Sequence, residues 1–157
     1  MSNNTCNLNI QYGIRLWSSS DNNISWNQVC NNTLRGVYIL SGSNNTIWNN
    51  TFIGNNGAGT VYDPTHIQAS DDGTNNRWNS SSGFGNYWSD WTTPDVVPPY
   101  GIVDAPYDIA GSAGAKDYYP LTTPQEPIPE FGMMPLVVTV LLAAIVLMIG
   151  ARRRKAQ

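Results

Sequence analysis

The sequence has little charge, and what it has is mostly acidic. Only 12% of its 157 residues are charged, about half the roughly 25% of an ordinary globular domain. Four of its eight basic residues lie in the segment 152–155, which leaves four basic against eleven acidic residues in the rest of the chain. An acidic body repels a phosphate backbone, so the composition excludes nucleic acid as a partner.

Residues that favour helices are also scarce, and asparagine takes their place. The chain contains 19 Asn, 14 Gly and 10 Pro, all of which disfavour helix interiors. A helix-rich fold is therefore excluded for the body of the chain. The abundance of residues suited to tight turns favours an architecture of short elements joined by many turns.

The chain repeats itself with a period of 23 residues. At this shift the segment 13–16 aligns with 36–39, and Val29 aligns with Phe52. The apolar residues recur two apart, which is typical of short strands with one inward face. A period in the twenties indicates a solenoid, and leucine-rich repeats would need more Leu. We therefore predict an all-β fold, a right-handed parallel β-helix whose rungs span residues 1–72.

Asparagine and cysteine positions test this register. Asn4, Asn27 and Asn50 share one station of the repeat, so their side chains should hydrogen-bond from rung to rung at a spacing of about 4.8 Å. Cys6 aligns with an inward position and Cys30 with an outward one. Because the two side chains should point to opposite faces, we expect no disulfide between them.

The C-terminal part has a different character. Residues 132–151 carry no charge and would span about 30 Å as a helix, which predicts a transmembrane helix in contact with the lipid bilayer. A Pro-rich linker (124–131) precedes it and a basic tail (152–157) follows it. The positive-inside rule then places the protein in the cell membrane as a single-pass chain, with an extracellular body and a cytoplasmic C-terminus.

The N-terminus shows no export signal, although the predicted topology requires export. The first rung would also leave an open strand edge. Both observations lead us to expect that the chain is the C-terminal piece of a longer exported protein.

Residues 73–123 carry a more specific pattern. The segments GNYWSD (85–90), DAPY (104–107) and DYYPL (117–121) follow one another here. Together with the 23-residue rungs, this segment resembles the C-terminal closing segment of NosD-like right-handed β-helix proteins of archaeal surfaces, which share the pectin lyase-like fold. The resemblance implies an irregular C-terminal cap over residues 73–123. Residues 128–131 (IPEF) also resemble a PEF-type sorting signal, and a permanent anchor is the alternative.

An aromatic cluster within the closing segment has two interpretations. Trp78, Tyr87, Trp88 and Trp91 fall within 14 residues, and each combines a large apolar surface with one polar group. They could cover the open apolar end of the last rung, as terminal repeats of solenoids do. Alternatively, they could form a platform on which sugar rings stack.

The resemblance raises the question of whether the protein binds calcium or copper. Relatives carry acidic loops that resemble calcium sites, and here Asp95, Asp104 and Asp108 with backbone carbonyls could bind calcium. Carboxylates are missing at intermediate positions of the loop, so a metal-free loop is the alternative. The family name implies copper, but His66 is the single histidine and lies in no Cys/His/Met cluster. We expect no copper and no other cofactor.

No catalytic constellation is visible. Asp71 and Asp72 are the one adjacent acidic pair, and on a strand they would point to opposite faces. We therefore predict a non-catalytic, membrane-anchored cell-surface module for envelope structure or adhesion, with surface glycans or envelope proteins as partners. The alternative is the C-terminal fragment of a carbohydrate-active β-helix lyase, epimerase or glycosidase whose active site lies upstream of Met1.

Overall fold

The computed structural model describes residues 1–126. These residues form a parallel β-helix of short strands with one three-residue 3-10 turn, Asn55–Gly57. The strands are β1 (Tyr12–Trp17), β2 (Asn23–Ser25), β3 (Gln28–Cys30), β4 (Arg35–Ser41), β5 (Thr46–Trp48), β6 (Thr51–Ile53), β7 (Ala69–Asp71), β8 (Tyr87–Trp88), β9 (Tyr107–Asp108) and β10 (Lys116–Asp117).

Strands β1–β8 stack into three faces, each a parallel sheet, and β9 and β10 form a separate antiparallel pair. One face has the order β1-β4-β7, the second pairs β2 with β5, and the third has the order β3-β6-β8. Val29 lies beside Phe52 and Ile24 beside Ile47, so the 23-residue register predicted from the repeat is confirmed for these rungs. The inward side chains of all three faces meet in one core.

Each corner between faces is made by a residue with left-handed backbone. The corner residues are Asn3, Trp26 and Asn49 on one edge, Leu8, Asn31 and Gly54 on the second, and Asp21, Asn44 and Asn75 on the third. Gly and Asn adopt positive φ at the least cost, and they fill six of these nine corners. The excess of asparagine is therefore partly explained by the geometry of the corners.

An asparagine follows each of these nine corners, and these asparagines form three hydrogen-bonded ladders. In the first ladder, Asn4 donates to Asn27 (3.0 Å), Asn27 to Asn50 (2.9 Å) and Asn50 to Asn86 (2.9 Å). Each Oδ1 also accepts the main-chain N–H of the asparagine one rung earlier. The predicted ladder is thus confirmed and extends one rung further, to Asn86.

The other two ladders were not predicted. The second ladder joins Asn9, Asn32, Asn55 and Gln68, and the third joins Asn22, Asn45 and Asn76. Because most of these amides are buried, the ladders satisfy polar groups that would otherwise destabilise the interior.

Every ladder ends on a buried carboxylate. Asn86 donates to Asp117 (3.1 Å), Gln68 to Asp90 (2.6 Å) and Asn76 to Asp71 (2.9 Å). A carboxylate only accepts hydrogen bonds, so it can receive the last amide without needing a further acceptor. The three aspartates therefore terminate the polar interior.

The winding continues past residue 72. Arg77 bridges to Thr46 in the second face, and β8 pairs with β6 in the third. The shift between partners grows from 23 to 31 at Arg77 and to 36 at Trp88, because loops are inserted between the strands. These insertions hide the fourth rung from a comparison of the sequence with itself.

The core is apolar in the first rungs and aromatic towards the C-terminal end. Phe52 stacks on Trp88 with ring centroids 4.3 Å apart, and Trp88 stacks on Tyr107 at 4.1 Å. Trp78 packs beside this stack. The rings of successive rungs thus lie one above another and fill the interior as far as strand β9, which carries Tyr107.

The fold prediction is corrected in its helical part. It added a transmembrane helix over residues 132–151, whereas residues 1–126 include no helix with the length and hydropathy that a bilayer crossing requires. The segment 132–151 itself lies outside the described residues. Residues 1–126 form an all-β fold.

The cysteines are both free. Cys6 packs against the core, as its register predicts. Cys30 is half-buried on the neighbouring strand β3. Burial raises the pKa of both thiols, which disfavours the thiolate form.

Candidate functional site

The four aromatic residues singled out from the sequence divide into two groups. Trp78 and Trp88 have no exposed surface, and their indole N–H groups donate to Asp71 and Asp117. Tyr87 and Trp91 are half-buried. Part of each side chain in the second group is therefore accessible to solvent, while the first group fills the interior.

The three aspartates singled out for calcium are engaged elsewhere. Asp104 accepts the N–H groups of Val96 (2.8 Å) and Val97 (3.3 Å). Asp95 accepts the N–H of Gly101 (2.8 Å), and Asp108 forms an ion pair with Lys116. Residues 1–126 contain no group of three His, Cys, Asp or Glu side chains that could hold a metal ion.

The other residues considered for catalysis or metal binding, Asp71, Asp72 and His66, do not form a common site. Asp71 is buried, whereas Asp72 accepts hydrogen bonds on the outer side from Tyr38 and Ser112. The adjacent acidic pair thus points to opposite faces, as predicted. His66 is exposed and bonds to Asp63 at 2.9 Å.

An open groove runs along the outer side of the β2–β5 face. Its volume is about 1310 Å³, which exceeds the roughly 300–1,000 Å³ of a typical small-ligand pocket. The groove is lined by five aromatic side chains together with amides, hydroxyls and one arginine. Those aromatic residues are Trp26, Trp48, Phe84, Tyr100 and Tyr119.

Two tryptophans form the β-helix side of this groove. Trp48 lies at the end of β5 and Trp26 at the left-handed corner after β2. Their rings meet edge to face at 6.3 Å, and the Trp48 indole N–H donates to Asn23 (2.8 Å). Both side chains are half-buried, so their positions are fixed while part of each ring stays accessible.

The opposite wall comes from two loops of the closing segment. The loop 95–104 contributes Tyr100 and Ile102, and it is braced by the hydrogen bonds of Asp95 and Asp104 described above. The loop 80–84 contributes Phe84, whose N–H and C=O bond back to Ser80. Asp95 and Asp104, two of the three residues expected to bind calcium, therefore shape the groove through the backbone.

The polar groups of the groove include few charges. Arg77 is exposed and forms no ion pair with any residue in 1–126. Asp21 is the acidic residue among the lining side chains. Amides of Asn22, Asn44 and Gln125 add donors and acceptors. Neutral polar groups beside aromatic faces suit a ligand with many hydroxyls and an apolar ring face.

Sequence reasoning missed this site. Trp48 follows the inward Ile47 on a three-residue strand, so alternation already places its ring on the outer surface. A large aromatic residue there was the available signal. The loops that complete the groove lie more than 30 residues further along the chain, and no local pattern brings them together with Trp26 and Trp48.

Parallel strands, rungs of 23 residues and one continuous interior define this class of protein as a parallel β-helix. Consistent with this, the sequence model of the family described as "Right handed beta helix region" matches residues 1–97. The chain belongs to this family of right-handed β-helix proteins. No curated protein and no solved structure matches the chain.

Proposed function

We propose that the β-helix is a non-catalytic carbohydrate-binding module and that the groove beside Trp26 and Trp48 holds the glycan. The observation that carries this proposal is the groove itself, with its five aromatic side chains and its neutral amides. Aromatic rings offer flat apolar faces and amides offer hydrogen bonds, and a sugar ring presents the complementary groups. The volume suits an oligosaccharide better than a single sugar.

The lining disfavours the alternative of a glycosidase acting in this groove. Hydrolysis of a glycosidic bond ordinarily uses two carboxyl groups about 5–10 Å apart, and among the described lining residues Asp21 is the one acidic side chain.

A location at the cell surface follows from the same proposal. The resemblance of the closing segment 73–123 to that of NosD-like archaeal surface proteins supports it. A surface β-helix that binds glycans would contribute to adhesion or to the structure of the envelope. The acidic composition suits such a place, since it keeps the module soluble among polymers.

A glycan array probed with the full-length chain tests the proposal. We expect binding to a set of oligosaccharides and a loss of about tenfold or more in affinity for Trp48→Ala, because aromatic anchors in recessed sites contribute on the order of 2 kcal/mol. Tyr118→Ala removes an aromatic ring that is 61% exposed and lies outside the groove, and it should bind like the wild type.

Two results would overturn the proposal. One is an array without any bound glycan for a chain that shows the β-sheet circular dichroism of a folded β-helix, which would favour a purely structural role. The other is glycan binding that Trp48→Ala and Trp26→Ala leave unchanged, which would place the ligand elsewhere on the surface.

A further inference from the structure

A second cluster of aromatic and basic side chains lies on the outer side of the β1–β4 face. The Arg15 guanidinium carbon is 4.6 Å from the ring centroid of Trp17, 5.6 Å from that of Tyr12 and 6.0 Å from that of Tyr38. Tyr12 and Tyr38 also contact each other at 4.9 Å. One arginine is thus held among three aromatic rings.

The register of the sheet explains this arrangement. Arg15 pairs with Tyr38, and Tyr12 pairs with Arg35 on the neighbouring strand. Arg15 and Tyr38 alternate with the inward residues of their strands, so both side chains must point outward. None of these side chains lines the groove of the proposed function.

The cluster is open to solvent. Arg15 is exposed, and Trp17 is 65% exposed although Arg15 lies over its ring. A tryptophan left in water on a flat sheet face has no role in the core. Contacts between the rings and the guanidinium orient Arg15 without using its N–H donors, so these donors remain free to bind a ligand.

The charges around the cluster favour an anion directly at Arg15. Neither Arg15 nor Arg35 forms an ion pair within residues 1–126. Arg35 donates to the carbonyl of Ile67. Asp72 is the nearby carboxylate, held at 3.1 Å from the Tyr38 hydroxyl and bonded to Ser112, and its charge opposes an anionic ligand.

We propose that this cluster is a second binding surface that takes an anionic polysaccharide, with a sugar carboxylate or sulfate on Arg15 and a sugar ring against Trp17. A guanidinium binds such oxyanions through paired hydrogen bonds. The guanidinium packs against the indole ring at 4.6 Å from its centroid, so a single sugar ring lying against the exposed part of the indole brings its own acidic group within reach of Arg15. An acidic peptide would use Arg15 but has less need of the exposed indole face.

Titration calorimetry of the full-length chain with four polymers tests this proposal. The probes are polygalacturonate, dextran sulfate, uncharged dextran and poly-glutamate. We expect binding to one or both of the first two at low salt, and weakening as salt is raised. Uncharged dextran and poly-glutamate should bind at least about tenfold more weakly than the preferred polymer.

Variants locate the site. Arg15→Gln and Trp17→Ala should each lower the affinity for the preferred polymer about tenfold, and Arg15→Lys should not restore it, because an ammonium lacks the planar fork. Asp72→Asn should raise the affinity. Lys116→Gln is the matched control for loss of a surface cation, and Trp48→Ala should leave this binding unchanged even where it abolishes binding in the groove.

Three results would overturn this inference. They are an absence of binding to either acidic polysaccharide, equal affinity of the wild type and Arg15→Gln, and poly-glutamate bound as tightly as the polysaccharides. The last result would assign the surface to acidic proteins. Because the variants of the groove are separate, failure here leaves the proposed function standing. Circular dichroism of each variant checks that the fold is kept.

Discussion

At the scale of single residues, this protein is organised by the pair formed by a left-handed corner residue and the asparagine that follows it. The corner turns the chain, and the amide side chain links one rung to the next. This explains why 19 asparagines occur in a chain of 157 residues and why so many of them are buried. The polar interior is stable because the buried ladder amides of Asn27, Asn50 and Asn55 each both accept and donate hydrogen bonds.

Asn50→Ala should therefore destabilise the protein strongly. The change removes the acceptor for Asn27 and the donor to Asn86, and it leaves the carbonyl of Ile24 without its partner. At about 1–3 kcal/mol for each buried group left unpaired, we expect a loss of about 2–5 kcal/mol in the free energy of unfolding. Denaturant titration measures it.

Asn79→Ala is the control, because that amide donates only to the adjacent Ser80 carbonyl. It should change the free energy of unfolding by less than about 0.5 kcal/mol. Equal effects of the two substitutions would contradict the structural role of the ladder.

The carboxylate at the end of the first ladder should make stability depend on pH. Burial raises the pKa of Asp117 to about 7, although hydrogen bonds from Trp88, Asn86 and Tyr119 oppose the shift. Between pH 4 and 7 the folded chain then binds more protons than the unfolded chain. The free energy of unfolding should accordingly fall as pH rises through this range.

Asp117→Asn removes this titrating group. The free energy of unfolding should then change less with pH between pH 4 and 7. A smaller pH dependence of the free energy of unfolding should remain, because burial also raises the pKa of Asp90. Asp21→Asn, on an exposed corner, is the matched control. Thermal unfolding at several pH values is the measurement, and an unchanged slope in Asp117→Asn would rule out Asp117 as the cause.

At the scale of elements, the closing of the β-helix depends on the aromatic stack more than on regular strands. Trp88 lies between Phe52 and Tyr107, with near-parallel rings on both sides. Strand β8 has only two residues, so its backbone pairing contributes little. The side chains hold the last rungs together.

Trp88→Ala should cost about 3–5 kcal/mol in the free energy of unfolding, because it opens a large cavity within the stack. Trp17→Ala, which removes the largely exposed indole, should cost less than about 1 kcal/mol. Chemical denaturation of both variants provides the comparison. A small effect of Trp88→Ala would mean that the stack is not what closes the interior.

The loop 95–104 forms part of the groove wall, so its conformation should affect binding in the groove. Asp104→Ala removes the acceptor for two backbone N–H groups and should loosen the wall that carries Tyr100. We expect weaker glycan binding, by about three- to tenfold, with an unchanged fold. Asp108→Ala, outside the groove, should leave the affinity unaltered, and a stronger effect there would contradict this account.

At the scale of the whole molecule, the sequence predicts the regular part of the fold and not its end. Apolar alternation and the 23-residue shift suffice for the first rungs, because every inward residue there recurs at the same spacing. The fourth rung was not predicted, because insertions displace Arg77 and Trp88 from the 23-residue spacing. Two of the three ladders were not predicted from the sequence, although their asparagines also follow residues with left-handed backbone.

The candidate site was less predictable than the fold. Hydropathy identifies aromatic residues but does not distinguish Trp88, which is buried, from Trp48, which lines the groove. That distinction depends on which face of a strand each residue occupies and on loops from distant parts of the chain. The aspartates chosen for calcium show the same limit, since the sequence does not reveal that Asp95 and Asp104 accept backbone N–H groups and that Asp108 pairs with Lys116.

The central claim is that a glycan binds in the groove beside Trp48. Its most direct test is a titration of the full-length chain with the oligosaccharide that binds best on the array, followed by tryptophan fluorescence. The account predicts a saturable change in wild type that is lost in the double variant Trp26→Phe/Trp48→Phe, because both groove tryptophans are removed and buried Trp78 and Trp88 should not respond. A change of equal size and midpoint in this double variant would contradict the claim.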